Sequence, residues 1–149
     1  MRDHPDHHDA ELLLRLYDLR REETLRRARE WLTGEFQADS FEDYQRRCPR
    51  GSQENTFFRM VVSYWDMAAS IVNHGLIKEE FFFENSTEIW VVWQKIKPLA
   101  PGMRNVYEDP FLWQNLETVA EKIEKWMVKR APKSVEALRT RLSKPPLKN

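Results

Sequence analysis

The sequence predicts an all-α fold, a compact bundle of about four main helices with short accessory helices, and three observations carry that prediction. Apolar residues recur at helical spacing along most of the chain. Polar N-cap residues and Gly or Pro stops punctuate those runs at intervals suited to short and medium helices. Alternating apolar and polar runs joined by Asn-Gly or Asp-Gly turns, the mark of hairpins, are absent. The 149 residues, 41% hydrophobic and 32% charged, suit one domain with one core and a heavily charged surface.

Residues 1–8, with Pro5, two Asp and three His, read as a flexible lead-in, and Asp9 as the N-cap of a first helix over about 10–34. Leu12, Leu16, Leu19, Leu25, Ala28 and Leu32 form its apolar face, Glu22–Arg26 and Glu23–Arg27 are i,i+4 pairs, and Gly34 is a stop. Ser40 with Asp43 caps a short helix over about 41–47, which Pro49-Arg50-Gly51 ends. Ser52 caps a longer helix reaching His74. Its stripe of Phe58, Val61, Trp65, Ala68 and Val72 is widened by Phe57, Tyr64 and Ile71, so it is buried on more than one side. Asn73-His74-Gly75 closes that helix, with Gly75 suited to a left-handed cap.

A short helical segment begins at Lys78, and Asn85-Ser86-Thr87-Glu88 restarts a helix to about Lys97 with Ile89, Trp90, Trp93 and Ile96 on its apolar face. Pro98 and Pro101-Gly102 bend or break the chain, and residues 103–109 form a further helical turn or an ordered loop. Asp109-Pro110 reads as N-cap and first position of a helix running to about Arg130, carrying Leu112, Leu116, Val119, Ile123 and Met127. Pro132 stops it, Ser134–Leu142 forms a last short helix, and residues 143–149 are a basic, Pro-containing tail. The domain proper is residues 9–142.

Composition narrows the function classes. The 24 basic and 24 acidic residues cancel, which argues against a nucleic-acid binder driven by net charge. Cys48 is the single cysteine, so there is neither an internal disulfide nor a thiol-based zinc site. With no signal-peptide pattern and no apolar run long enough for a membrane span, the cytoplasm is the expected compartment.

Candidate chemistry is sparse. His4, His7 and His8 interleave with Asp3, Asp6 and Asp9, but Pro5 disfavours the helix that would align them, and a solvated terminus explains them better than a metal site. Cys48 follows Arg46-Arg47, which would lower its pKa, yet a half-buried thiol at a helix end is the simpler reading. Glu80, Glu84 and Glu88, and Glu117, Glu121 and Glu124, step along helix faces. The Glu-x-x-His pair that a di-iron bundle needs is missing. Neither a P-loop, a dinucleotide fingerprint nor a Gly-x-Ser-x-Gly motif occurs. No catalytic, metal or cofactor residue is assigned.

Asp66, mid-helix among apolar residues, needs a partner if buried, and Arg104 is the candidate. With His74 these residues make a possible polar site. Six Trp and eight Phe suggest core ridges or a partner surface, the latter built from Phe81, Phe82, Trp90, Trp93 and Trp113. From Lys129 onward seven Lys or Arg face one acid, Glu136, a tail suited to phosphate backbones or anionic lipid.

The stretch Phe57–Trp93 joins an aromatic-rich helix, the turn Val72-Asn73-His74-Gly75-Leu76-Ile77, an acidic-aromatic segment and Ile89-Trp90-Val91-Val92-Trp93, with Arg104 downstream. It resembles a family of uncharacterised bacterial helical proteins classed as a domain of unknown function, over roughly residues 50–130. Some members of that family carry a membrane helix ahead of the domain, and this sequence has none. The resemblance implies an α-helical fold and supplies no catalytic residue.

The resulting expectation is a non-enzymatic interaction module acting on a protein partner or as a homodimer. The alternatives are a ligand binder or enzyme with a pocket near Asp66, His74 and Arg104, and a phosphate-contacting protein working through its basic tail.

Overall fold

Side-chain capping sets the starts of the first four helices in the computed structural model, which describes residues 5–143. The described residues form helices with no strand: α1 His7–Arg20, α2 Glu23–Gly34, α3 Phe41–Arg47, α4 Gln53–Asn73, α5 Glu79–Asn85 and α6 Glu88–Ile96. A 3-10 turn Lys97–Leu99 follows, then α7 Ala100–Val106, α8 Gln114–Arg130 and α9 Pro132–Ser143. The hydroxyls of Ser40 and Ser52 accept from the Asp43 and Asn55 amides, the caps expected for α3 and α4. Gly75 takes φ +74° after α4, and the Leu76 amide donates to the Ile71 carbonyl.

Four expectations about boundaries are corrected. The helix anticipated over 10–34 is two helices. The Glu22 carboxylate turns back to accept the Thr24 and Leu25 amides and caps α2, instead of pairing with Arg26 along one continuous helix. The first helix begins at His7, with Asp6 as N-cap. Asp9 is the third helical residue, and its carboxylate accepts the Asp6 amide in a capping box. Pro101-Gly102 does not break the chain, because Pro101 sits in the first turn of α7, where its missing N–H would have had no partner. Finally, Asp109-Pro110 does not open α8. The Asp109 carboxylate accepts the Phe111 amide, the chain makes further turns, and α8 starts at Gln114 behind a left-handed Trp113.

The core is built on α4, which packs against both α2 and α8. Helix α6 fills the space against α8 and α2, α9 lies on α8, and α3 packs against α7. Trp65, Trp90, Phe58, Phe82, Leu116 and Ile123 are among its fully buried side chains. Polar anchors tie the periphery down. Tyr64 donates to the Leu16 carbonyl of α1, and the buried Asp9 carboxylate accepts the Lys78 amide at 2.6 Å. Glu88 receives both Nε and Nη2 of Arg29 at 2.7 and 3.0 Å and the Trp65 indole N–H at 3.0 Å, joining α2, α4 and α6 at one carboxylate. Helix α9 is held through Arg139, which bonds Glu124, itself the acceptor of the Trp90 indole N–H.

Helices α3 and α7 approach closely at Gly102. A Cβ there would lie 2.7 Å from the Phe41 Cβ, so only glycine permits this spacing. That contact fixes the separation of the two elements that flank the main cleft.

Candidate functional site: an aromatic cleft

A cleft of about 1100 Å³ opens between α3 with the turn that follows it, the first half of α4, and the segment from the end of α7 to Trp113. Its first wall is set locally. Gly51, at φ +87°, reverses the chain between α3 and α4. The Asn55 side chain then locks the turn by donating to the Tyr44 hydroxyl at 3.0 Å and to the Cys48 carbonyl at 3.2 Å. Asp43 pairs with Arg46 and Arg47, so those two cations are engaged. Along the cleft the Tyr44 and Phe58 rings lie 4.7 Å apart and Phe58 and Trp113 5.9 Å apart, a run of tilted aromatics.

The opposite lip is held in an unusual backbone conformation. Glu108 and Trp113 have φ of +50° and +63°, a region that favours glycine. Each costs on the order of 1 kcal/mol that surrounding contacts must over-determine, and such strain clusters at binding sites. Arg104 supplies part of that restraint. Its Nε donates to the Leu112 carbonyl at 2.9 Å, and its Nη2 pairs with Glu117 at 3.2 Å, fastening the segment to α8. On this lip Tyr107 is 65% and Phe111 69% exposed, with Val106 beside them also open to solvent.

The three residues of the anticipated polar site each have a partner of their own. Asp66 lines the cleft, half-buried, and its Oδ1 accepts the Leu116 amide at 3.1 Å. It therefore serves as a through-space N-cap of α8, and a backbone N–H, not Arg104, is its partner. Arg104 is committed to Leu112 and Glu117. His74 is the exposed cap of α4, its Nδ1 2.7 Å from the Ser70 carbonyl, and it does not line the cleft. The anticipated partner surface is corrected more strongly. Phe82, Trp90, Trp93 and Trp113 are buried and Phe81 is half-buried, because α8 and α2 cover the face of α6 that its sequence left open. His7 and His8 are exposed on the first turn of α1, while His4 and the tail residues 144–149 lie outside the described residues.

Burial decides the ionisation of the groups in the cleft. It pushes the Cys48 thiol up to about 11, against the weaker pull of Arg47, so the thiol is protonated at neutral pH and a poor nucleophile. It pushes the Tyr44 hydroxyl up to about 12, which keeps it a neutral donor. It also raises the Asp66 carboxyl, with the Leu116 amide opposing. A carboxyl raised in the folded state binds its proton more tightly there than in the unfolded chain. Asp66 therefore favours folding most when protonated, and that contribution is lost as pH rises through its folded pKa. Asn at position 66 keeps the acceptor without the charge. Asp66→Asn is expected to gain stability relative to wild type as pH rises across the window above the ordinary Asp value. Asp66→Ala is expected to lose roughly 0.5–2 kcal/mol, the range for losing an N-cap. Urea denaturation of both variants at several pH values checks this, and a wild-type–Asn difference independent of pH would contradict it.

The cleft offers aromatic surface, neutral hydroxyl and guanidinium donors, and one carboxylate in use as a cap, which is an arrangement for binding. Sequence reasoning missed it. Pro49-Arg50-Gly51 read as a stop and Tyr107 as part of a connecting segment, and no glycine at position 108 or 113 signalled the left-handed turns.

Fold and site together define a helical domain with a large aromatic cleft as its candidate site, and no helix among the described residues is long and apolar enough to cross a membrane. The chain belongs to the DUF4760 family, a domain of unknown function, whose family model matches residues 5–126, from the start of α1 through most of α8. Helix α9 lies beyond the matched segment. No curated protein and no solved structure matches the chain.

Proposed function

We propose that this protein is a non-enzymatic interaction module that receives a segment of a protein partner in the aromatic cleft. The observation that carries this reading is the cleft itself, about 1100 Å³, lined by Tyr107, which is left open to solvent. A volume of that order exceeds what a small metabolite fills and suits several consecutive side chains of a peptide. Large aromatic side chains held out in water are the residue types that anchor protein interfaces. The protonated Cys48 thiol and the engaged Asp66 carboxylate also favour binding over catalysis.

The ligand-binding alternative keeps one point of support, since Asp66 lines the cleft and its carboxyl is raised by burial. The phosphate-contacting alternative has less, because Arg139 is bonded to Glu124 and Arg130 stacks 4.0 Å from the Trp126 ring.

A photo-crosslinking residue placed at position 107 in living cells tests the reading, with position 136 on α9 as control. The expected result is a discrete adduct at 107 that is absent at 136. The purified adduct protein is then expected to bind the module in solution, with Tyr107→Ala about tenfold weaker, as for one interface anchor. Adducts at both positions alike, or none at 107, would sink the proposal.

A further inference from the structure

The cleft is not electrostatically neutral, and its charges are unevenly used. Asp66 is the one carboxylate that lines it, and Oδ1 of that carboxylate already holds the Leu116 amide. Arg50 and Arg59 line it as well, both exposed, and neither makes an ion pair with any described residue. Arg59 precedes Asp66 by seven residues on α4, about 10 Å along the helix axis, so the two do not neutralise each other at contact distance. Tyr44 lines the cleft as well. It is 7% exposed, its oxygen accepts from Asn55, and no described acceptor takes its proton. Arg59 and Tyr107 are both close enough to influence the ionisation of that hydroxyl, Arg59 favouring its loss of a proton and Tyr107 opposing it. The Tyr44 hydroxyl, Tyr107 and the unpaired Arg59 guanidinium thus line one cleft together with the Phe58 and Trp113 rings.

We infer that Arg59, Tyr44 and Tyr107 form a seat for one carboxylate, so that the segment entering the cleft carries an Asp or Glu beside an aromatic or aliphatic residue. This rests on the interaction reading above and names the chemistry of its partner. Two unpaired arginines against one carboxylate leave the cleft one positive charge in excess, matched by a single carboxylate and not by a dianionic phosphate. The guanidinium and the hydroxyls bind the carboxylate oxygens, and desolvation by the surrounding rings strengthens those bonds. The neighbouring apolar side chain of the partner packs on Phe58 and Trp113. Arg50, on the turn at the mouth, attracts acidic segments at longer range.

Selection of random dodecapeptides displayed on phage against the 149-residue chain tests this. The expected result is enrichment of peptides with an acidic residue adjoining an aromatic or aliphatic one, displaced when Tyr107 is changed to Ala. Replacing the acidic residue of the best peptide by its amide is expected to weaken binding about tenfold, the effect of one charge-assisted hydrogen bond. In Arg59→Gln that acid-to-amide difference is expected to vanish, and in Tyr44→Phe to shrink. Arg59 is exposed and unpaired, so Arg59→Gln should retain the wild-type thermal midpoint, which separates lost recognition from lost fold. Peptides that bind the cleft without an acidic residue, or equal binding of acid and amide forms, would overturn the carboxylate seat and leave the interaction reading intact. A selection yielding no peptide sensitive to Tyr107→Ala would overturn both.

Discussion

Replacing Trp90 with alanine is expected to destabilise the protein by roughly 3–5 kcal/mol, the range for truncating a large buried aromatic. Trp90 is 0% exposed, and its ring is covered on one side by the Arg139 guanidinium at 5.7 Å. Truncation removes the ring, leaves a cavity between α6 and α8, and deprives Glu124 of the indole N–H it accepts at 3.0 Å. Glu124 also holds Arg139, so α9 should loosen first and become more accessible to protease. For a domain of this size such a loss is a large part of a total near 5–15 kcal/mol. Chemical denaturation monitored by far-UV circular dichroism measures it directly. The result also separates core from surface. A Trp90→Ala variant within about 0.5 kcal/mol of wild type, the usual span of surface changes, would return this tryptophan to the partner surface its sequence suggested.

Glu88→Ala carries the second largest expected effect, about 2–4 kcal/mol, because removing one acceptor strands donors on two helices. Arg29 loses both of its bonds to the carboxylate, and Trp65 loses its indole partner. The pair is only partly sheltered, with side chains 20% and 25% exposed, so water compensates in part and the loss stays below that of a fully buried charge. Glu88→Gln retains an acceptor for Trp65 and should fall between the alanine variant and wild type. A double-mutant cycle of Arg29→Met with Glu88→Ala should return a coupling on the order of 1–3 kcal/mol, as for charge-assisted bonds outside full burial. Additive single effects would show that Glu88 acts on Trp65 alone. Burial works against the Arg29 guanidinium, but the bond and charge of Glu88, aided by Tyr64 and Glu30, raise its pKa above an already high value. The pair therefore contributes no pH dependence on the alkaline side of neutrality.

How far the site was legible depends on the range of the interactions that make it. Asp66 stood out in the sequence because a carboxylate amid Trp65, Met67 and Ala68 needs a partner. Its actual partner, the Leu116 amide, is fifty residues away and carries no side-chain signature. Arg104 stood out as a candidate cation and proved to brace the cleft lip, since its neighbours Leu112 and Glu117 come from the segment that the Asp109-Pro110 signal had assigned to a helix. Tyr44, Arg59 and Tyr107 carried no motif, because a cleft formed by α3, α4 and α7 has no local sequence period.

What the sequence determined by itself is the helical class, the starts of α3 and α4, the close of α4 at His74-Gly75 and the end of α8 before Pro132. These follow from hydrogen bonds and backbone angles within a few residues, which composition and order specify directly. Tertiary structure alone decided which aromatic faces are buried, where α8 begins and that a cleft exists. The exposed or buried fate of Trp90 and Trp93 is set by whether α8 and α2 cover α6. The left-handed turn at Trp113 is held against its local preference by a ring packed on Phe58 and by the clamp of Arg104 on Leu112. Such contacts join residues far apart in the chain, and their free energy outweighs local propensity only once the helices have docked.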